Sequence, residues 1–135
     1  MTLEYATPKA SESKAMFWIG WVLSILPVLM LLMSATMKFA LNDEARKGFD
    51  HLGWPERYAM PLGITELACT VLFLIPQTSV LGAILLTGYL GGATATHARI
   101  GEMQLVVPAV IGVVIWLGLF LRDRRIRALI PLRGN

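Results

Sequence analysis

The sequence predicts an all-α integral membrane protein: a four-helix antiparallel bundle with a short amphipathic helix in its first outer loop. Three observations predict it. The 135 residues are 56% apolar and 16% charged, where soluble domains run near about 45–50% and about 25%. The apolar residues fall into four blocks, and nearly all charge lies between or outside them. Each block is close to the roughly 20 helical residues that cross the ~30 Å apolar core of a bilayer. These features exclude a water-soluble α/β enzyme and a disordered chain, and the length allows one domain. That domain covers residues 16–122, between an N-terminal tail (1–15) and a basic tail (123–135).

The first block, Met16–Met37, has 22 residues and no formal charge. It exceeds the ~7–15-residue apolar stretch of a cleaved leader, so it is expected to remain as a span, kinked at Pro27. The second, Tyr58–Ile75, carries one charge, Glu66. Pro61 suits its first turn and Pro76 stops it. The third, Ser79–His97, follows so short a link that it must lie antiparallel beside the second. The fourth, Leu105–Leu121, has Pro108 in its first turn, where proline costs little. In lipid every backbone N–H and C=O must be paired internally, so each block is read as a helix.

Loop one, Lys38–Tyr58, is the single long connection. Asn42 is a suitable N-cap, and Asp43 and Glu44 suit a helix N-terminus. Leu41, Ala45, Phe49 and Leu52 share a face and Gly53 closes the segment, which predicts a surface helix. It is either a lid over the outer mouth of the bundle or a plain connector. Lys9, Lys14 and the cluster Arg122, Arg124, Arg125, Arg127 and Arg133 flank the side of the termini. Lys38, Arg46, Lys47, Arg57 and Arg99 flank the other. This bias predicts both termini in the cytoplasm. The arginine cluster reads as an anchor to anionic lipid, so no nucleic-acid partner is expected. Phe17, Trp18, Trp21, Trp116 and Phe120 suit the inner interface, Trp54 and Tyr58 the outer.

Most polar side chains fall in the outer half. Lys38 and Ser34 end the first span, Glu66 lies in the outer half of the second, and Thr94, Thr96 and His97 close the third. Arg99 and Glu102 follow. A carboxylate in the apolar region is expensive and usually faces the bundle interior. Glu66 satisfies the physics by pairing with Lys38 or His97, or by taking a proton. His97 reads as a proton relay, a hydrogen-bond partner for a ligand, or a polar end residue. No metal site is expected, because His51 and His97 are the only histidines and have no ligand spacing. Tyr89 sits near mid-membrane and needs a partner for its hydroxyl. Gly88 and Gly92 predict close helix packing, with a groove for a flat ring as the other reading. Met30, Met33 and Met37 read as adaptable packing, and Cys69 as a buried, inert thiol.

Three stretches carry a family resemblance: Ser34-Ala35-Thr36-Met37-Lys38-Phe39; Gly63-Ile64-Thr65-Glu66-Leu67-Ala68 with Pro76; and Leu81-Gly82-Ala83 through Gly91-Gly92-Ala93-Thr94-Ala95-Thr96-His97-Ala98-Arg99. Over about residues 16–122 the chain resembles the DoxX-like family of small bacterial membrane proteins. The resemblance implies a four-helix bundle in the bacterial inner membrane, with Lys38 and Glu66 at the family's typical polar positions. It also implies an accessory role. The namesake relatives are subunits of a quinone-linked thiosulfate oxidoreductase, and others accompany methylamine-oxidation and oxidative-stress systems. The sequence has no redox cysteine pair, haem-ligating pair or flavin motif, so quinone or a partner subunit must carry any electrons.

The first functional reading is therefore a quinone- or lipophile-binding subunit of a redox system, with Lys38, Glu66, Tyr89, Thr94 and His97 around the ligand. The second is an assembly subunit without chemistry of its own, docking a partner subunit. The third is a small transporter component, against which the apolar inner half argues. The lipid bilayer is a partner on this reading. A partner redox subunit and a second copy of the chain stay open.

Overall fold

The computed structural model describes residues 14–129. Lys9, Arg133 and the outer parts of both predicted tails lie outside the described residues. The chain folds as α1 (Lys14–Ala40), α2 (Asp43–Leu52), α3 (Ala59–Leu74), α4 (Ser79–Arg99), α5 (Val106–Arg122) and α6 (Arg124–Leu129). Short 3-10 turns precede α3, α4 and α5. Four helical segments are long and apolar enough to cross a membrane, and they match the four blocks. They stand in a ring in which α1 packs on α3 and α5, and α4 packs on the same two helices. Every neighbouring pair is antiparallel. One end of the ring carries α2, and the other, the terminal end, carries α6 and the start of α1.

The outside of the ring is apolar. On α1, Trp18, Val22, Leu26, Leu29 and Met33 are each more than half exposed, at helical spacing. Val107, Val110 and Val113 do the same on α5. Helices apolar on both faces are stable only where the surroundings are apolar too. Lipid removes the hydrophobic drive between helices, so packing rests on close approach and hydrogen bonds.

Close approach is concentrated at the terminal end. Gly20 and Ser24 of α1 meet Gly118 of α5: a Cβ on Gly118 would lie 2.7 Å from Ser24 Oγ. At Gly82 a Cβ would collide with the Phe73 backbone, with the Leu72 carbonyl carbon 2.7 Å away. Phe73, Leu86, Ile115 and Leu119 fill the space between, at 0–1% exposure. The expected Gly88–Gly92 contact is not made. A Cβ at Gly88, Gly91 or Gly92 would meet nothing within 4 Å. Helices α3 and α4 are cinched where their short link joins them, and α4 offers open space further along.

That link also closes a polar account. The last carbonyls of a helix have no partner within it. Thr78 Oγ1 donates to Leu72 O at 2.7 Å, and Ser79 Oγ lies 2.8 Å from Phe73 O and 2.9 Å from Ile75 O. Arg122 Nη2 adds a donor to Phe73 O at 3.3 Å, its guanidinium packed over the rings of Trp21 (4.3 Å) and Phe73 (5.0 Å). The basic segment is thus more than a lipid anchor. It forms α6, Ile126 is buried, and Arg127 Nη1 donates to the final carbonyls of α5, Phe120 O and Leu121 O. Helix α1 runs unbroken through Pro27.

Candidate functional site

Lys38 and Glu66 meet because of how side chains leave helices. Cβ bonds tilt toward a helix N-terminus. On α1 that tilt sends Lys38, in the last turn, down into the bundle. On antiparallel α3 it sends Glu66 up toward the α2 end. Lys38 Nζ lies 2.8 Å from Glu66 Oε2 and 2.6 Å from Ser34 Oγ, one turn back on α1. Ser34 Oγ in turn donates to Glu66 Oε2 at 3.3 Å. Gly63 permits the approach, since a Cβ there would press on the Phe39 ring at 3.0 Å and Lys38 Cβ at 3.3 Å.

Glu66 is the eighth of the sixteen residues of α3 and is 2% exposed. It therefore sits at the inner edge of the half of α3 nearest α2, within the expected stretch, and pairing with Lys38 is the outcome the fold adopts. Tyr89 of α4 faces the same carboxylate and interacts with it electrostatically.

This cluster lies in the wall of a cavity of about 870 Å³. The walls are mostly apolar, with Met30, Met33 and Met37 on one side and Gly88, Gly92 and Leu85 on another. Met33 and Val107 line the cavity and are more than half exposed. Cys69 is buried and also lines it, as the inert-thiol reading allows. Phe73, Leu86, Ile115 and Leu119, packed toward the terminal end at 0–1% exposure, do not line the cavity.

Helix α2 roofs the cavity with Glu44, Ala45, Gly48, Phe49 and Leu52. Its ends follow the sequence: Asn42 Oδ1 accepts from Ala45 N at 2.9 Å, and Gly53 ends it at φ 74°. Leu41 does not join its apolar face. It turns the chain between α1 and α2 at φ 44°, a left-handed conformation that costs a leucine of order 1 kcal/mol.

His97 lines the cavity but is not a partner of Glu66. Its Nδ1 lies 3.0 Å from Glu102 Oε2, and His51 of α2 bonds the other carboxylate oxygen of Glu102. These two histidines hold the Glu102 carboxyl below the usual carboxylate range, His51 contributing more. Thr94 stands apart: its hydroxyl donates to Leu90 O at 2.8 Å within α4, and it does not line the cavity. Among the described residues no group of three or more His, Cys, Asp or Glu side chains is placed to hold a metal ion.

Sequence reasoning placed Ser34 beside Lys38 without assigning it to the site, although a spacing of four stacks the two on one helix face. It missed the His51–Glu102 bond, which joins α2 to the α4–α5 link far away in sequence, and no local pattern announces it.

A family model described as the DoxX-like family matches residues 22–118. Comparison with curated proteins and with solved structures finds no match.

Proposed function

The chain belongs to the DoxX-like family, and on that premise we propose that it is a lipophile-binding membrane subunit whose pocket takes a quinone-type head group. The observation that carries this reading is the Lys38–Glu66 pair, set with Ser34 and Tyr89 into the wall of a largely apolar cavity. A flat ring bearing carbonyl oxygens needs donors at one end and apolar walls around the rest. The Lys38 ammonium and the Tyr89 hydroxyl supply donors, and the open faces of Gly88 and Gly92 leave room for a ring. The exposed lining residues Met33 and Val107 suit a ligand that arrives through the bilayer with an apolar tail. Glu66 and Tyr89 are groups able to give or take a proton beside such a ring. Electrons would come from a partner redox subunit, which makes this chain an accessory of that system in the bacterial inner membrane, with α2 facing outward.

The test is mass spectrometry of lipids retained by the purified protein. Enrichment of a quinone or another single lipophile in the wild type, and its loss in Glu66→Gln, supports the pocket. A lipid profile that matches the bulk membrane in both proteins contradicts it.

A further inference from the structure

We propose that the His51–Glu102–His97 chain is a releasable charge latch that holds α2 over the cavity and tightens when the water at that end is acidified through the histidine range. The inference concerns the lid and not the ligand, so it stands or falls apart from the pocket assignment.

Helix α2 has little else to hold it. None of its residues is buried. At its start, Arg46 Nε donates to Leu41 O of the turn from α1 at 3.1 Å, and its polar ties to α4 and the α4–α5 link, among the described residues, are at its C-terminal end. His51 bonds Glu102 in the α4–α5 link, and Arg99 at the end of α4 donates to the Leu52 carbonyl. Both flanks of α2 carry a residue at positive φ, Leu41 at 44° and Gly53 at 74°. The helix is a short rigid piece between two sharp turns, fastened at its C-terminal end. Release of that end uncovers the wall formed by Phe49, Leu52 and Gly48.

The charges around the latch set its direction. His51 is the exposed member, with 62% of its side chain in contact with solvent, and Glu102 has 23%. From α4 the facing groups are His97 and Arg99, and Arg99 is engaged by the Leu52 carbonyl. On α2 itself the charged residues nearest His51 are Lys47 and Asp50. Lys38 of α1 and Glu66 of α3 lie deeper and satisfy each other. With neutral imidazoles, Glu102 holds α2 by hydrogen bonds alone. Histidine charges in the mildly acid range, and each added proton turns one of these bonds into an ion pair. Because both histidines depress the Glu102 carboxyl, it stays ionised through that range. The latch is thus weakest where both imidazoles are neutral, and in stronger acid it is lost again once Glu102 itself is protonated.

Pulsed EPR tests this on the full chain in lipid nanodiscs. Nitroxides at Lys47→Cys and Val106→Cys, in a Cys69→Ser background, report the distance from lid to bundle. Between about pH 8 and about pH 5.5, across the histidine range, the short-distance population should rise several-fold. His51→Gln, a change at an exposed side chain, should flatten that response, and Glu102→Gln should leave the lid open at both values. His97→Gln should give an intermediate response. Distances that do not change with pH in the parent protein overturn the proposal, as does a response that survives both His51→Gln and Glu102→Gln.

Discussion

Lys38 and Glu66 form an ion pair, Nζ to Oε2 2.8 Å, between the last turn of α1 and the middle of α3, with Glu66 buried and Lys38 partly so. Its setting decides its consequences. Removing one partner of a buried pair strands a charge, at a cost of about 3–5 kcal/mol, while replacing both with apolar or neutral groups is often neutral.

Lys38→Met and Glu66→Gln should therefore each destabilise the protein, Lys38→Met by about 3 kcal/mol or more and Glu66→Gln by less, since the amide still accepts a bond. The double variant should recover most of the loss. Thermal unfolding in one detergent, run as a double-mutant cycle, measures this. Additive losses would mean that the two side chains do not interact.

The glycines of α4 should divide by position. Gly82→Ala drives a methyl into the Phe73 backbone and should cost at least the ~1–3 kcal/mol of an overpacked core. Gly88→Leu meets open space and should leave the unfolding temperature unchanged or raised, since leucine is the better helix former. It should nonetheless abolish lipophile retention, because it fills the cavity. A Gly88→Leu protein that retains the lipophile at wild-type level would refute that assignment.

Arg122 should not tolerate lysine. Its planar guanidinium lies over Trp21 and Phe73 while reaching the Phe73 carbonyl. Lysine cannot stack and donate in the same way. Arg122→Lys should cost about 1–2 kcal/mol, the range of a partly desolvated cation–π contact, and should shift Trp21 emission. Equal unfolding temperatures would argue against it.

Glu102 gives the pH dependence. Its proton affinity is depressed in the folded state by His51 and then His97, so its contribution is present above the unfolded value and lost as pH falls through the folded one. Amide exchange protection of α2 should fall in acid below the ordinary glutamate pKa of about 4.3. In Glu102→Gln that acid limb should disappear. Protection that declines identically in both proteins would place the acid sensitivity elsewhere.

The four spans were legible because lipid imposes a one-dimensional signal: length, apolarity and the absence of charge between Met16 and Met37 suffice. The ends of α2 were legible from Asn42 and Gly53, whose caps are local chemistry. Lys38 and Glu66 stood out as charges in apolar surroundings, although the choice of Lys38 over His97 needed the helix directions. Packing was not legible at Gly88 and Gly92, because glycine spacing signals a smooth face without saying whether a neighbour fills it. The contact was made instead by Gly20, Ser24 and Gly118, which carry the same small-residue signal. The inward use of Arg122 and Arg127 was hidden because cationic tails and carbonyl-capping arginines read alike in sequence.

The central claim is that the Glu66 carboxylate, paired with Lys38, is the polar end of a lipophile pocket. Difference infrared spectroscopy tests it most directly, with a short-chain quinone added to the protein in nanodiscs. The account predicts a shifted carboxylate band that vanishes in Glu66→Gln and is absent in Gly88→Leu. A spectrum with no carboxylate change in the wild type, at quinone concentrations that saturate the bilayer, would contradict it.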